Sequence, residues 1–199
     1  MGGPEAFLPA RHLRRSTHLK ETTGFVHHGE PAALVFVTVG NATQGFLRLL
    51  EGVDSLAGRG FFGEDPVIIQ RGNNPGFRAS HCRQQDFFAP EEFIHMIDQA
   101  AVVICHGGEG TLMHLLQMGK VPVVVPRQKK YGEHVDDHQV ELTRVLASEG
   151  RIIPAYELDG LPAAVNEARQ RLLQPTPPVE SGMIELVARA IADLARGKR

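Results

Sequence analysis

From Leu34 onward the chain alternates short β-branched runs with segments of helical apolar spacing. That alternation predicts βαβ units and a parallel sheet rather than a sandwich. Strands are expected at 34–39, 67–70, 101–105, 121–125 and 151–154, with a fainter sixth near 82–87. Crossover helices are expected at 46–56, 91–100, 111–118, 135–148 and 161–173. Leu115, Leu116 and Met118 give the third helix an apolar side, and Leu142, Val145 and Leu146 give the fourth one. The expected fold class is therefore α/β, a Rossmann-like parallel sheet of five to six strands flanked by helices.

The flanks differ from this body. Residues 1–33 show little apolar periodicity and carry a basic run, Arg11, His12, Arg14, Arg15, His18 and Lys20. They are expected to form a flexible arm, solvated or touching anionic lipid or a partner. At 174–178 the run Gln-Pro-Thr-Pro-Pro forces extended backbone and predicts a stiff linker. Beyond it Ile184, Val187, Ala188, Ile191 and Leu194 recur every three or four residues, a helix with one apolar stripe that must cover something. At 199 residues the chain can bury one core, and a second full domain would be cramped.

Charge and hydropathy remove several function classes. Lys plus Arg number 21 against 23 Asp plus Glu, so no cationic surplus points to nucleic acid. No apolar run approaches the ~20 residues that span a bilayer. Nor does an unbroken apolar segment follow the basic N-terminal residues, so no secretory signal is expected and the expected location is cytoplasmic. Cys82 and Cys105 form no disulfide framework and read as reduced thiols, one on or near a strand and one in a core strand.

In an open parallel sheet ligands sit beyond the carboxyl ends of the strands. After the first strand comes Gly40-Asn41-Ala42-Thr43-Gln44, and after the strand ending at Cys105 comes His106-Gly107-Gly108-Glu109-Gly110-Thr111. The second loop has three glycines in four positions, and the helix opening at Gly110 or Thr111 presents unpaired N–H groups and a positive dipole end. Two readings stand: an anion site, or glycines that only permit tight packing. No Gly-Lys-Ser or Gly-Lys-Thr follows, and Met113 occupies the third glycine position of a dinucleotide fingerprint, so ATPase and dinucleotide readings fall.

A second cluster, Gly132-Glu133-His134-Val135-Asp136-Asp137-His138-Gln139, follows the next strand. On a helix His134 and His138 would share a face and, with Asp137, hold a metal. Alternatively His134 or Asp136 caps the helix, or Gln139 and a histidine aim at a sugar's hydroxyls. Val135 replaces the Glu of a zinc-protease motif. No Asp-x-Asp occurs, against a metal-held diphosphate, and no Gly-x-Ser-x-Gly elbow supports a hydrolase.

Taken in order, Val35 to Gly40, Ile69-Gln70-Arg71-Gly72, His106 to Thr111, Gly119 to Arg127 and Gly132 to Gln139 resemble one family, the C-terminal donor-binding domain of family 28 glycosyltransferases, one half of a GT-B enzyme. More closely, the chain is similar to the stand-alone type of that domain, as in the two-subunit dolichol-linked N-acetylglucosaminyltransferase and in bacterial exopolysaccharide glycosyltransferases. The similarity covers about 34–173, which the resemblance makes a UDP-sugar-binding domain. It leaves 1–33 as the arm and 174–199 as the linker and a C-terminal docking helix.

The resemblance implies an inverting, UDP-sugar-dependent transferase subunit acting on a lipid-linked saccharide. It implies no metal or other cofactor, and a membrane-anchored partner that supplies the acceptor site and the catalytic base. Through that partner the chain would lie peripherally at the cytoplasmic membrane face. Position by position, it puts the diphosphate at Gly40, Asn41, Gly107, Gly108, Gly110 and Thr111, and the uracil at Pro126 and Arg127. The donor sugar would meet Glu109, His134, Asp137, His138 and Gln139. Where relatives carry a ribose-binding Glu this chain has His114. The alternative is a nucleotide-sugar-binding regulatory or scaffold subunit without turnover.

Overall fold

The computed structural model of the chain describes residues 33–173 together with Ala192. The expectations for the arm at 1–32 and for the linker and docking helix at 174–199 otherwise lie outside the described residues. Within the described span, β1 (Val35–Thr38), β2 (Val67–Gln70), β3 (Arg83–Gln85), β4 (Val102–Cys105), β5 (Val123–Val124) and β6 (Ile153–Pro154) form one sheet. All pairings are parallel, in the order β3-β2-β1-β4-β5-β6. The helices are α1 (Leu47–Gly58), α2 (Pro90–Gln99), α3 (Glu109–Gln117), α4 (His138–Ser148) and α5 (Leu161–Leu172).

The strands are short, buried and β-branched because helices cover both faces. Alternation along β1 shows this: Val35 and Val37 join a core with Leu49, Leu50 and Val53 of α1 and Val165 of α5. Phe36 points the other way, into a core with Ile97 of α2, Leu112 and Leu115 of α3 and Leu142 of α4. The fainter signal near 82–87 is the edge strand β3, which is largely exposed. Its polar sequence, Arg-Gln-Gln, hides it from any reading based on apolar runs.

One boundary differs in a way that matters. The fourth helix, expected at 135–148, starts only at His138, because residues 129–131 form a 3₁₀ turn and the chain to Asp137 stays irregular. His134 therefore lies off the helix and shares no helical face with His138. The turn is held by Asp137 Oδ1, which accepts the Lys129 N–H at 2.9 Å, while Asp136 Oδ1 accepts the His138 N–H at 3.1 Å. Both carboxylates shape the loop, and Asp136 rather than His134 serves the helix start.

Candidate functional site

Strand order reverses between β1 and β4, and the loops leaving their carboxyl ends part there. The opening is a cleft of about 540 Å³. One lip is Gly40, Asn41 and Ala42, and the other runs from His106 through Gly108, Glu109 and Gly110 to Thr111. Gly108 is the N-cap of α3, and no side chain caps it. The first intrahelical bond from this end is Leu112 N–H to Gly108 O, so the N–H groups of Glu109, Gly110 and Thr111 carry the positive end of the helix dipole toward the cleft.

Between the lips stands His106, only 7% exposed. Its ring is the reason for two glycines. A Cβ on Gly108 or on Gly40 would overlap the imidazole, and Gly40 also has φ +70°, a left-handed backbone. Burial, and after it the nearby Arg127 guanidinium, pushes the His106 pKa down to about 4, so the ring is neutral at physiological pH. Its Nδ1 is buried without a hydrogen-bond partner. Gly107 is buried behind it, where a Cβ would meet Gln139 Cβ at 3.1 Å, so its role is to let α4 approach.

Opposite the polar lips the cleft has an apolar wall of Phe87, Phe88, Pro90 and Phe93. Phe88 and Phe93 stand edge-on to Phe36, at 5.8 and 5.7 Å between centroids, and so are fixed by the core. Phe87 is 44% exposed at the mouth. Gln70 closes the floor, donating to Thr38 Oγ1 and accepting the Phe88 N–H, both at 3.0 Å.

The other sequence-derived candidates divide. Gln139 reaches the cleft, but its Oε1 accepts the Arg127 N–H at 3.1 Å, which leaves its amide NH₂ for a ligand. Glu109 lines the mouth and meets His138 Nε2 at 3.0 Å, tying α3 to α4. His134 sits in the loop against Asp136 at 2.8 Å, and Asp137 is turned back onto Lys129. His114 lies one turn farther along α3, outside the cleft lining, with Nε2 buried and unpartnered. Among the described residues no group of three or more His, Cys, Asp or Glu side chains is placed to hold a metal ion.

Pro126 and Arg127 are not part of the cleft lining. Arg127 is fully buried, and its guanidinium donates to carbonyls of the loop between β1 and α1. The Pro126 carbonyl accepts from Arg48 at 3.0 Å. The Arg127 N–H is taken by Gln139 Oε1 at 3.1 Å. What sequence reading missed is the aromatic wall, with His106 and Gln70. The signal was present in the two phenylalanines and the proline after the polar edge strand, at the carboxyl end of a parallel strand. For His106 it was the position of a lone imidazole between glycines.

Cys82 and Cys105 are both free thiols. Burial, followed by the neighbouring Asp54 carboxylate, pushes Cys82 up to about 12, and burial alone raises Cys105. Both shifts favour the protonated thiol over the reactive thiolate. Among the described residues no helix is long and apolar enough to cross a membrane.

The family model of the glycosyltransferase family 28 C-terminal domain matches residues 34–192. Over 164 residues the chain is 26% identical to the UDP-N-acetylglucosamine transferase subunit ALG13 of Yarrowia lipolytica, covering 77% of this chain and 82% of that one. It is 27% identical over 158 residues to the UDP-N-acetylglucosamine--N-acetylmuramyl-(pentapeptide) pyrophosphoryl-undecaprenol N-acetylglucosamine transferase of Rubrobacter xylanophilus, covering 76% of this chain but 44% of that protein. The chain thus spans less than half the length of that bacterial relative. Among solved structures, the glycotransferase of kitacinnamycin superposes with a TM-score of 0.53 at 18% identity, over 86% of this chain and 42% of its own, a likeness of fold.

Proposed function

The chain belongs to glycosyltransferase family 28 through its C-terminal domain, and from that premise we propose that it is the donor-binding subunit of an inverting transferase that moves a sugar from UDP to a lipid-linked saccharide. The observation that carries this reading is the uncapped N-terminus of α3, opening on the cleft beside a neutral His106. A diphosphate placed there receives the N–H groups of Glu109, Gly110 and Thr111, with Gly40 and Asn41 on its other side. As the sugar leaves, negative charge grows on the diphosphate. Fixed N–H dipoles that are strongest toward that charge lower the barrier, and they need no metal ion.

The uracil takes the apolar wall rather than the place near Pro126 and Arg127. A flat base buries its faces against Phe87 and Pro90, and the core-anchored Phe88 and Phe93 hold that wall in position. The donor sugar meets the amide NH₂ of Gln139 and the Glu109–His138 pair at the mouth. An acceptor-binding partner docked across the cleft supplies the nucleophile's base. Such a partner is membrane-anchored on this reading, and the chain lies at the cytoplasmic membrane face through it. A role in exopolysaccharide or other glycoconjugate synthesis follows from the lipid-linked acceptor.

The test is a transfer assay from a panel of UDP-sugars to a polyprenyl-linked saccharide. It is run with the chain alone and with a membrane-anchored, Rossmann-like protein encoded by a neighbouring gene. Transfer only in the presence of both is expected, and EDTA leaves it unchanged. Robust turnover by the chain alone contradicts the two-subunit reading, and loss of transfer on chelation contradicts the metal-free donor site.

A further inference from the structure

Among the described residues, the cleft assigned to a diphosphate has no Lys or Arg in its lining, and its one carboxylate, Glu109, faces His138. Two buried cations lie beside the lining: Arg71, next to Gln70, is paired with Asp86, whereas Arg127 is one residue away from the lining at two points. It donates to Val39 O, next to Gly40, at 3.0 Å, and its own N–H is held by Gln139. Every hydrogen bond of its guanidinium goes to a carbonyl: Gln44 at 2.8 Å, Gly45 and Glu133 at 3.2 Å, and Val39. The Phe46 ring lies 4.7 Å from its Cζ, and Nε has no partner.

The carboxylate nearest to it is already engaged. Glu133, also buried, binds Arg48 through both oxygens, at 2.8 and 2.9 Å, and accepts the Gln128 N–H at 3.1 Å. Arg48 also faces Glu157, which is tied to Lys130, so three cations meet two carboxylates and the cluster keeps a net positive charge. A buried charge without a counter-ion is costly. Carbonyl dipoles solvate the guanidinium but do not cancel its charge, and its bonds to Val39 and from Gln139 set that charge beside the cleft.

We propose that Arg127 is a buried cation that serves the cleft, raising affinity for the phosphate groups of a nucleotide ligand through space, without touching the ligand. This rests on the diphosphate reading given above. His106 already registers the same charge: Arg127 is, after burial, the strongest influence holding its ring neutral, with His134 adding a smaller one. A neutral His106 and a positive potential from behind it together leave room for an anion in front.

The experiment compares UDP with uridine, which shares the base and ribose but has no phosphate, by calorimetry on the wild-type chain, Arg127→Gln and Glu133→Gln. The His106 pKa is followed by NMR in the same proteins. In Arg127→Gln the UDP Kd should rise about tenfold while uridine changes by less than about twofold, and His106 should titrate closer to 6.5. Glu133→Gln removes a negative charge and keeps one acceptor for Arg48. It should tighten UDP about threefold and push His106 lower still. A purely bracing Arg127–Glu133 cluster gives the opposite for this variant, because losing a brace does not tighten binding.

Equal losses for UDP and uridine in Arg127→Gln, or weaker UDP binding with an unmoved His106 in Glu133→Gln, overturn the proposal. If Arg127→Gln does not fold, Glu133→Gln decides alone. A wild-type chain that binds neither ligand overturns the diphosphate reading itself, and this proposal with it. Binding of UDP by the wild type with charge-independent variants overturns only the role of Arg127.

Discussion

The loops that follow the neighbouring strands β4 and β5 carry equally suggestive residues, and the structure puts them to opposite uses. After β4, residues 106–111 leave three helix N–H groups and an imidazole nitrogen without protein partners, around an open cleft. After β5, the polar side chains of residues 126–137 are mostly committed, Arg127 Nε being an exception. Arg127, Gln128, Glu133, Asp136 and Asp137 each hydrogen-bond within this loop or to the loop between β1 and α1. A buried polar group that has its partners shapes the fold, and one that lacks them is available to a ligand. Residue type alone does not separate the two.

The closed loop can be broken first. Glu133→Ala strands Arg48 and Arg127 around a vacancy. Unfolding by denaturant should show a loss of about 3–5 kcal/mol, the scale for breaking a buried ion pair. A loss under about 1 kcal/mol would mean that this loop is as loose as the open one. The open lip is next: Gly108→Ala drives a methyl into the buried His106 ring, so UDP affinity should fall by more than about tenfold. Gly110→Ala meets nothing within 4 Å and should cost less than about threefold. If the two behave alike, the imidazole is not held as described.

His106 also makes the open lip sensitive to acid. Its pKa is about 4 in the folded chain against about 6.5 when unfolded, so between these values the unfolded chain binds more protons. Stability contributed by the neutral ring is complete above pH 6.5 and is lost as pH falls toward 4. Thermal melts across that window should show the fall, and His106→Asn should flatten it. The smallest effect is at Gln139, which belongs to both regions. Gln139→Ala should weaken UDP-sugar by about two- to tenfold and leave UDP nearly unchanged, by calorimetry. An equal loss for both ligands would place its main work in holding the Arg127 N–H.

The inner strands were legible in the sequence because both faces of the sheet are buried there, and that writes β-branched runs along them, unlike the exposed β3. The glycine lip was legible too: the left-handed φ of +70° at Gly40 is a local demand, and Gly108 is kept small by its near neighbour His106. The fates of Arg127, Asp137 and His134 were not, because they are decided by partners far along the chain. Arg127 reaches back more than 80 residues to Gln44, Gly45 and Val39. The start of the fourth helix was misread for a related reason: Asp137 holds the preceding 3₁₀ turn in place of a regular helix. The aromatic wall escaped notice because phenylalanine after a strand reads as core, and Phe88 and Phe93 are indeed anchored there while their other faces line the cleft.

The central claim is that the nucleotide sits between the β1 and β4 lips against the aromatic wall, and not on the loop after β5. Titrating UDP into the isotope-labelled chain while following backbone amide shifts tests this directly, with EDTA present. The account predicts the largest shifts at 40–42, 87–88 and 106–111, with a Kd of roughly 10 μM to 1 mM and little change at 128–134. Largest shifts at 128–134, or binding that appears only after a divalent ion is restored, would contradict it.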